Sequence, residues 1–210
     1  MIITIGNIKG GVGKTTQAVN IAIERESKGH SVLLIDADEQ GTASTFSDVR
    51  AEKLGDTKYQ TVKLHGKAVR QQGRALASNY DFTIIDCGGR DTGGLRAAMT
   101  FTDKLIIPLA PRSFDLWAVD QMAELIDEVD NLRDDLEVFC VLNMADSQGA
   151  DNEDTIEMLS EYPRFKVVKI PIIRRKIWAN ASSSGLGIIE YKPTDKKALL
   201  EFNNMMEYVL

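Results

Sequence analysis

The chain has 210 residues, of which 43% are hydrophobic and 27% are charged, and its formal net charge is −6. This length and apolar content predict a single domain, residues 1–210, with a buried core. The acidic balance excludes an overall basic field that would attract nucleic acid or anionic lipid, so any such contact needs a local basic patch.

Short apolar segments alternate with longer amphipathic stretches along the whole chain. Strands are predicted at 2–6, 31–36, 59–63, 82–86, 104–108, 137–142 and 166–171. Helices are predicted at 14–28, 42–53, 65–78, 92–101, 115–132, 151–161 and 194–209. This alternation indicates an α/β fold in which helices cover both faces of a mostly parallel sheet.

The sequence gives no sign of a membrane span or a secreted protein. No apolar run approaches the roughly 18 residues of a membrane helix, and no positive region precedes the apolar N-terminus. Cys87 and Cys140 lie in or beside strand-like segments, which favours buried free thiols. We therefore expect a cytoplasmic protein.

The loop after the first predicted strand reads NIKGGVGKTT. Its glycines allow a tight turn whose backbone N–H groups bind phosphate, and the helix that follows adds its positive N-terminal dipole. Lys14 is expected to reach the β- and γ-phosphates of a nucleotide, and the Thr15 hydroxyl to ligate Mg²⁺. The predicted nucleotide-binding residues of this loop are Gly10, Gly11, Val12, Gly13, Lys14, Thr15 and Thr16.

The loop departs from the usual Gly-x-x-x-x-Gly-Lys-[Ser/Thr] pattern of phosphate-binding loops. Ile8 occupies the position of the first glycine, and a second lysine, Lys9, follows it.

Two further predicted strands end in carboxylates. The segment VLLIDADEQG contains Asp36 and Asp38, and FTIIDCGG ends in Asp86, which has the form of a Walker B acid. A carboxylate at this edge can orient a water for attack on a γ-phosphate or bind Mg²⁺. Because the active sites of open α/β sheets form beyond the carboxyl ends of the strands, we expect these residues to converge with the loop and with Asn143.

Five segments together resemble the ParA/MinD deviant Walker ATPases. They are KGGVGKTT at 9–16, DADEQG at 36–41, IIDCGGRD at 84–91, IIPLAPRSFD at 106–115 and the LN pair at 142–143. The resemblance covers essentially the whole chain, and the length is similar to that of small plasmid-type ParA proteins that lack an N-terminal DNA-binding extension.

The resemblance implies a role for each matching residue. Lys9 would cross the interface of an ATP-sandwiched dimer and contact the partner's nucleotide, so that nucleotide state sets dimer state. Asp36 would position the attacking water, and Thr15 with Asp86 would hold Mg²⁺. The amide of Asn143 would bind adenine, with the segment from Pro171 to Arg174 as a wall, although asparagine after a strand is also an ordinary turn residue.

Two positions differ from the residues common in the family. Glu39 stands where proline is usual, and Arg112 stands where serine often follows Pro111. The first change could alter the loop after Asp36, and the second adds a cation to a segment that resembles the family's switch and dimer region. Neither change removes a catalytic group.

Three functions are compatible with such an ATPase. The first is a ParA-like positioning ATPase whose ATP-bound homodimer associates with the nucleoid by binding DNA non-specifically. Its support is the basic triplet Arg174, Arg175 and Lys176, although such a triplet is also typical of a solvated surface. A ParB-like or other adaptor protein would stimulate hydrolysis, and the cargo would be a plasmid, a protein compartment such as a carboxysome, or a chemoreceptor array.

The other two functions are disfavoured by the sequence. A MinD-like membrane ATPase would need a basic amphipathic C-terminal helix, but the last 17 residues carry two lysines and two opposing glutamates close to a long apolar face. That pattern favours a helix packed on the core. A metal-cluster carrier would need exposed cysteines. Cys87 and Cys140 do not form a Cys-x-x-Cys pair, and Cys140 lies in the middle of a predicted strand, so neither fits a cluster site.

Overall fold

The computed structural model describes residues 1–89, 92–111, 116–133, 135–148 and 150–210. Within these residues the strands form one sheet of seven, in the order β3-β2-β4-β1-β5-β6-β7, and every recorded pairing is parallel. The strands are β1 Ile2–Ile5, β2 Val32–Asp36, β3 Gln60–Lys63, β4 Phe82–Asp86, β5 Lys104–Leu109, β6 Glu137–Ala145 and β7 Lys166–Ile173. Each overlaps its predicted segment, and the predicted α/β class is confirmed.

Helices connect the strands. They are α1 Lys14–Ser27, α2 Thr42–Leu54, α3 Arg74–Ala77 after a π-helical turn at Val69–Gly73, α4 Thr92–Met99, α5 Leu116–Asp130, α6 Asp151–Leu159, α7 Lys176–Ser183 and α8 Lys196–Val209. Helix α7 was not predicted, because only Trp178 and Ala181 of this short, serine-rich helix are buried. Two buried positions are too few to produce a clear helical period.

Successive strand residues point to opposite faces of the sheet, so each strand supplies two apolar clusters. In β2, Leu33 and Ile35 belong to the apolar cluster on one face, which also includes residues of α4, α5 and α6. Val32 and Leu34 belong to the cluster on the other face, which includes residues of α1 and α8. Leu34 is fully buried, and burial of a side chain of this size stabilises the fold by about 1.5–3 kcal/mol. Coverage of both faces explains the continuous apolar strands of the sequence.

Helix α8 packs on the sheet, as the sequence predicted. Asp195 caps its N-terminus by accepting hydrogen bonds from the backbone N–H groups of Lys197 and Ala198, each at 3.0 Å. Its buried face comprises Ala198, Phe202, Met205, Met206 and Val209. Among the described residues, no helix is long and apolar enough to cross a membrane. Both cysteines are buried and neither forms a disulfide within the described residues, as predicted.

The central strand β1 lies where the chain reverses its direction across the sheet. After β1 the chain builds β2, β3 and β4 on one side, and from β5 it builds the other side. Ligand sites of such sheets form at this reversal, beyond the carboxyl ends of the strands. The loop at residues 6–13 starts there.

Candidate active site

The loop between β1 and α1 forms one wall of a cleft of about 490 Å³, lined also by Asp38, Glu39, Gln40, Thr42 and Gly89. Gly11 and Gly13 have φ angles of 75° and 86°, in the left-handed region that favours glycine. A Cβ atom at Gly13 would also lie 2.3 Å from Asn143 Nδ2. Around Gly10 and Gly11 there is open space, so their backbone is accessible from the cleft.

Asn7, which sequence reasoning missed, braces this loop from within the protein. It is fully buried, donates from Nδ2 to the Pro108 carbonyl at 2.8 Å, and accepts at Oδ1 from the Lys9 N–H at 2.9 Å. The backbone of Gly89 also lies close to the loop, because a Cβ atom at Gly89 would be 3.0 Å from Gly10 N. In the sequence, the one sign of this role for Asn7 is a polar residue that directly follows an apolar strand.

Lys14 lies inside the loop and is only 7% exposed. Its Nζ donates to the Lys9 carbonyl at 2.8 Å. Burial lowers the pKa of Lys14, while Asp86 and Asp38 oppose that shift. A poorly hydrated ammonium at this position can exchange the loop carbonyl for a phosphate oxygen. The Lys9 side chain is half-buried in the same loop.

Thr15 and Asp86 are in contact, as the predicted metal site requires. The Thr15 hydroxyl donates to Asp86 Oδ2 at 2.6 Å, whereas the buried Asp86 Oδ1 has no hydrogen-bond partner among the described residues. Among the described residues no three His, Cys, Asp or Glu side chains form a metal site. Mg²⁺ usually takes one or two protein ligands and completes its shell with phosphates and water, so this pair fits Mg²⁺.

Burial raises the pKa of Asp86 to about 7, assisted by the charges of Asp36 and Asp38 and opposed by Thr15 and Lys14. A raised pKa in the folded state means that ionised Asp86 opposes folding. This loss of stability begins as the pH rises above the unfolded value of about 4 and is complete above about 7.

We therefore expect Asp86→Asn to stabilise the nucleotide-free protein at pH 8 but not at pH 4. The expected gain is about 2–4 kcal/mol at pH 8, on the order of 5–10 °C in Tm, because asparagine keeps the hydrogen bond and removes the charge. Thermal melts of both proteins between pH 4 and pH 8 measure the difference. Equal melting temperatures at pH 8 would contradict a destabilising ionised Asp86.

The two carboxylates that follow β2 have different surroundings. Asp36 is fully buried, and its oxygens accept from the backbone N–H of Ser44 at 2.8 Å and of Asp38 at 3.3 Å. Asp38 is half-buried, lines the cleft and accepts at Oδ1 from the Gln40 N–H at 3.0 Å. A Cβ at Gly88 would lie 2.8 Å from Asp38 Cγ, so Asp38 packs on that backbone. The carboxylate that faces the cleft is therefore Asp38, whereas Asp36 was predicted to contact the water.

Asn143 holds the phosphate loop. Its Nδ2 donates to the Val12 carbonyl at 2.8 Å, and its Oδ1 accepts from Gln17 at 3.1 Å. A register shift in β6 and a φ of 54° at Met144 accompany this orientation. Both ends of the Asn143 amide are thus engaged, and its contact with adenine stays a prediction, since the amide has a second N–H donor and a second lone pair on Oδ1.

An apolar pocket of about 230 Å³ lies beyond Asn143. Thr16 and Arg174 line it as the sequence predicted for a nucleotide site, but Pro171 does not. Pro171 precedes the last two residues of β7, and the wall is formed instead by Met144, Ile173, Arg174, Arg175, Trp178 and Ala179.

The predicted basic triplet is only partly available to a ligand. Arg174 and Lys176 are exposed. Arg175 instead forms a two-pronged ion pair with Glu201 of α8, with Nη2 to Oε1 at 2.7 Å, and lies 3.6 Å from Asp195. The prediction that Arg175 contacts DNA is therefore not supported, because its guanidinium fixes α8 to the end of β7. Arg112 lies outside the described residues.

Comparison with known proteins agrees with this geometry. The profile of the CobQ/CobB/MinD/ParA nucleotide binding domain matches residues 3–188. The maintenance of carboxysome distribution protein A of Halothiobacillus neapolitanus is 28% identical, over 99% of this chain and 95% of that protein. The sporulation initiation inhibitor protein Soj of Bacillus subtilis is 29% identical, over 94% and 93% respectively.

A solved structure described as a plasmid partition protein of Borrelia burgdorferi, bound to AMPPNP, has the same fold. It superposes with a TM-score of 0.75 at 21% identity and covers 99% of this chain and 97% of its own. Since the family profile spans most of the chain, the protein belongs to the CobQ/CobB/MinD/ParA nucleotide-binding family.

Proposed function

We propose that the protein is a Mg²⁺-dependent ATPase of the ParA type that hydrolyses ATP to ADP and phosphate. The observation that carries this proposal is the contact between Thr15 and the buried Asp86 beside an open glycine-rich loop. The second Asp86 oxygen has no partner in the part of the chain that the structure describes. The AMPPNP bound by the Borrelia burgdorferi protein of the same fold supports ATP as the nucleotide.

The site residues divide the work of hydrolysis. The backbone of the loop and the Lys14 ammonium bind the β- and γ-phosphates, and Thr15 with Asp86 holds Mg²⁺. Bound Mg²⁺ would neutralise part of the negative charge that develops on the phosphates. We reassign the water-orienting role from Asp36 to Asp38, because Asp38 faces the cleft and Asp36 is held by backbone N–H groups.

The apolar pocket beyond Asn143 accommodates the adenine base. Ile173 and Arg174 form part of its wall, and Asn143 also holds the loop at Val12. An aliphatic and guanidinium lining suits a flat aromatic ring.

Lys9 gives the protein a switch between monomer and dimer. The lysine lies on the loop beside the cleft, and in an ATP-sandwiched dimer its ammonium reaches the partner's γ-phosphate. A second cation near that phosphate acts only after two subunits meet, so dimerisation depends on ATP.

This function is tested by Lys9→Ala, with Lys169→Ala as an exposed-lysine control on β7. The monomer mass is 23.2 kDa, and with ATP and Mg²⁺ we expect light scattering to give about twice that mass for the wild type and the control. Lys9→Ala should bind ATP within about threefold of the wild type, as expected for a lost solvent-facing contact, but remain monomeric. An ATP-loaded Lys9→Ala that dimerises as well as the wild type would contradict the sandwich.

The ATP-bound dimer associates with the nucleoid in the cytoplasm through non-specific DNA contacts and positions a cargo. Arg174 and Lys176 are the exposed cations available for this role from the predicted triplet. A ParB-like adaptor would stimulate hydrolysis, and the first candidate for the cargo is a plasmid.

A protein compartment is the second candidate cargo, supported by the carboxysome distribution protein that matches almost end to end. Purified adaptors of the two systems distinguish them, since only the cognate adaptor should accelerate phosphate release.

A further inference from the structure

A strongly basic surface covers the β3 edge of the sheet. Its members are the exposed side chains Lys58, Lys63, Lys67, Arg70 and Arg74, which we call the β3-edge surface. Residues 57–80 contain no aspartate or glutamate, so this segment carries +5 in a chain whose net charge is −6. The local charge is thus opposite in sign to that of the protein.

Within the described part of the chain, no cation of the β3-edge surface forms a close ion pair with a carboxylate, although the charge of Lys58 helps to lower the pKa of Glu190. Other arginines are paired there: Arg50 with Glu190, Arg96 with Glu128, Arg164 with Asp130 and Arg175 with Glu201. Five neighbouring cations repel each other when nothing compensates them. Their charge is therefore available to an external anion.

The fold places these cations on β3, on the residues before it and on the helical segment that follows it. β3 is the outer strand of the sheet, and Lys63 closes it. The segment that follows is helical from 67 to 77. Its buried side includes Val69 and Ala77, so Lys67, Arg70 and Arg74, spaced three and four residues apart, share the exposed side.

Gly73 allows this helical segment to lie close to the sheet. A Cβ at Gly73 would be 3.2 Å from Phe101 and 3.3 Å from Ile35. At the other end of the surface, Lys63 Nζ lies 3.5 Å from the Cβ position of Gly41, in the loop that carries Asp38. The surface therefore extends to the loop at the rim of the nucleotide cleft.

The composition of the surface favours a nucleic-acid backbone over a protein or a membrane. None of the exposed large hydrophobic residues lies within residues 57–80. A protein partner would need apolar or aromatic anchors, and a lipid surface would need side chains to insert. Phosphate contacts need only cations and hydrogen-bond donors, which exposed Gln60, Gln71, Gln72, Ser78 and Asn79 add.

We propose that the β3-edge surface binds the phosphate backbone of duplex DNA without reading its sequence. This inference rests on the proposed function, to which it adds a second DNA contact. Arg174 and Lys176 follow β7, the outer strand at the opposite edge of the sheet. One protomer therefore offers DNA two separate basic surfaces, and losing one should weaken binding without abolishing it.

The test compares three variants with the wild type. The first carries Lys67→Gln, Arg70→Gln and Arg74→Gln, which leaves Lys63 beside the cleft intact. The second carries Arg174→Gln and Lys176→Gln. The control carries Lys169→Gln, Lys196→Gln and Lys197→Gln, which removes the same charge from exposed sites elsewhere. Binding of a fluorescent random-sequence duplex is titrated with ATP and with ADP from about 50 to 300 mM salt.

We expect the first variant to bind DNA about 10²–10³-fold more weakly than the wild type near 0.1 M salt in the ATP state. Its salt slope should fall by about 3 per engaged protomer, because each phosphate contact contributes about 0.9. The control should stay within about threefold, and basal ATP hydrolysis and Tm should be unchanged in the first variant.

Failure of this inference is distinguishable from failure of the proposed function. If the wild type binds DNA in the ATP state and the first variant matches the control, the β3-edge surface is not a DNA contact. If the wild type binds no DNA with ATP, the DNA-dependent part of the proposed function fails, and this inference fails with it. If the second variant still binds ATP and it alone loses DNA binding, the whole contact belongs to Arg174 and Lys176.

Discussion

Replacing Lys14 with alanine should weaken ATP binding by about 10²–10³-fold. The ammonium is buried and poorly hydrated in the nucleotide-free protein, and its Nζ donates a hydrogen bond to the Lys9 carbonyl. Its contact with phosphate is therefore a charge-assisted bond in a site of low dielectric, whose loss costs about 2–5 kcal/mol. A factor of ten in affinity corresponds to about 1.4 kcal/mol.

The same substitution should leave the nucleotide-free protein folded. Burial lowers the pKa of Lys14, so its charge is carried at a cost that alanine removes. Titration with a fluorescent ATP analogue, together with thermal melts, measures both effects. Lys9→Ala serves as the control on the same loop and should keep its affinity. An ATP affinity within threefold of the wild type in Lys14→Ala would remove Lys14 from the phosphate site.

The strands and the phosphate loop could be predicted because their signals are contiguous in the sequence. Strands such as β2, covered on both faces, appear as unbroken apolar runs. The loop combines glycines, Lys14 and Thr15 within a few residues, between a strand and a helix. Asp86 was found because it ends an apolar strand, and the parallel register places it beside Asp36.

The features that were missed depend on contacts between distant parts of the chain. Asn7 meets Pro108, Asn143 meets Val12, and Arg175 meets Glu201. Each of these polar residues has an ordinary local explanation as a turn former, a turn residue or a surface cation. Only the packing of the strands and of α8 decides which partner it has.

The β3-edge surface shows a related limit of sequence reading. Its cations are spread over residues 58–74 with one or more residues between them, so they form no basic run. The compact triplet at 174–176 is more conspicuous in the sequence. In the structure, all five cations of the β3-edge surface are exposed, whereas Arg175 of the triplet is paired with Glu201.

The choice between Asp36 and Asp38 illustrates the same dependence, because both follow the same strand. The resemblance to the ParA/MinD family implies that Asp36 positions the water. In the structure, the Asp36 carboxylate accepts the Ser44 N–H in the first turn of α2, where the helix dipole favours a negative charge. Asp36 thereby fixes the loop that carries Asp38, and acts as a positioning residue.

We expect Asp38→Asn to reduce the rate of ATP hydrolysis by about 10²–10³-fold, the usual contribution of a side chain that orients or deprotonates an attacking water. Asparagine keeps the oxygen that accepts the Gln40 N–H, so the loop should stay in place. ATP affinity and ATP-dependent dimerisation should remain within about threefold of the wild type. Phosphate release in a single turnover measures the chemical step apart from binding.

Asp36→Asn should give the opposite pattern. It weakens the contact with α2 and replaces one acceptor with an N–H₂ group near two backbone N–H donors, so stability should fall by about 1–3 kcal/mol. Hydrolysis should decline less than tenfold under conditions where the protein stays folded, because no group that faces the cleft is removed. Melting curves beside single-turnover rates separate the two roles. If Asp36→Asn loses turnover without losing stability while Asp38→Asn hydrolyses normally, the water belongs to Asp36.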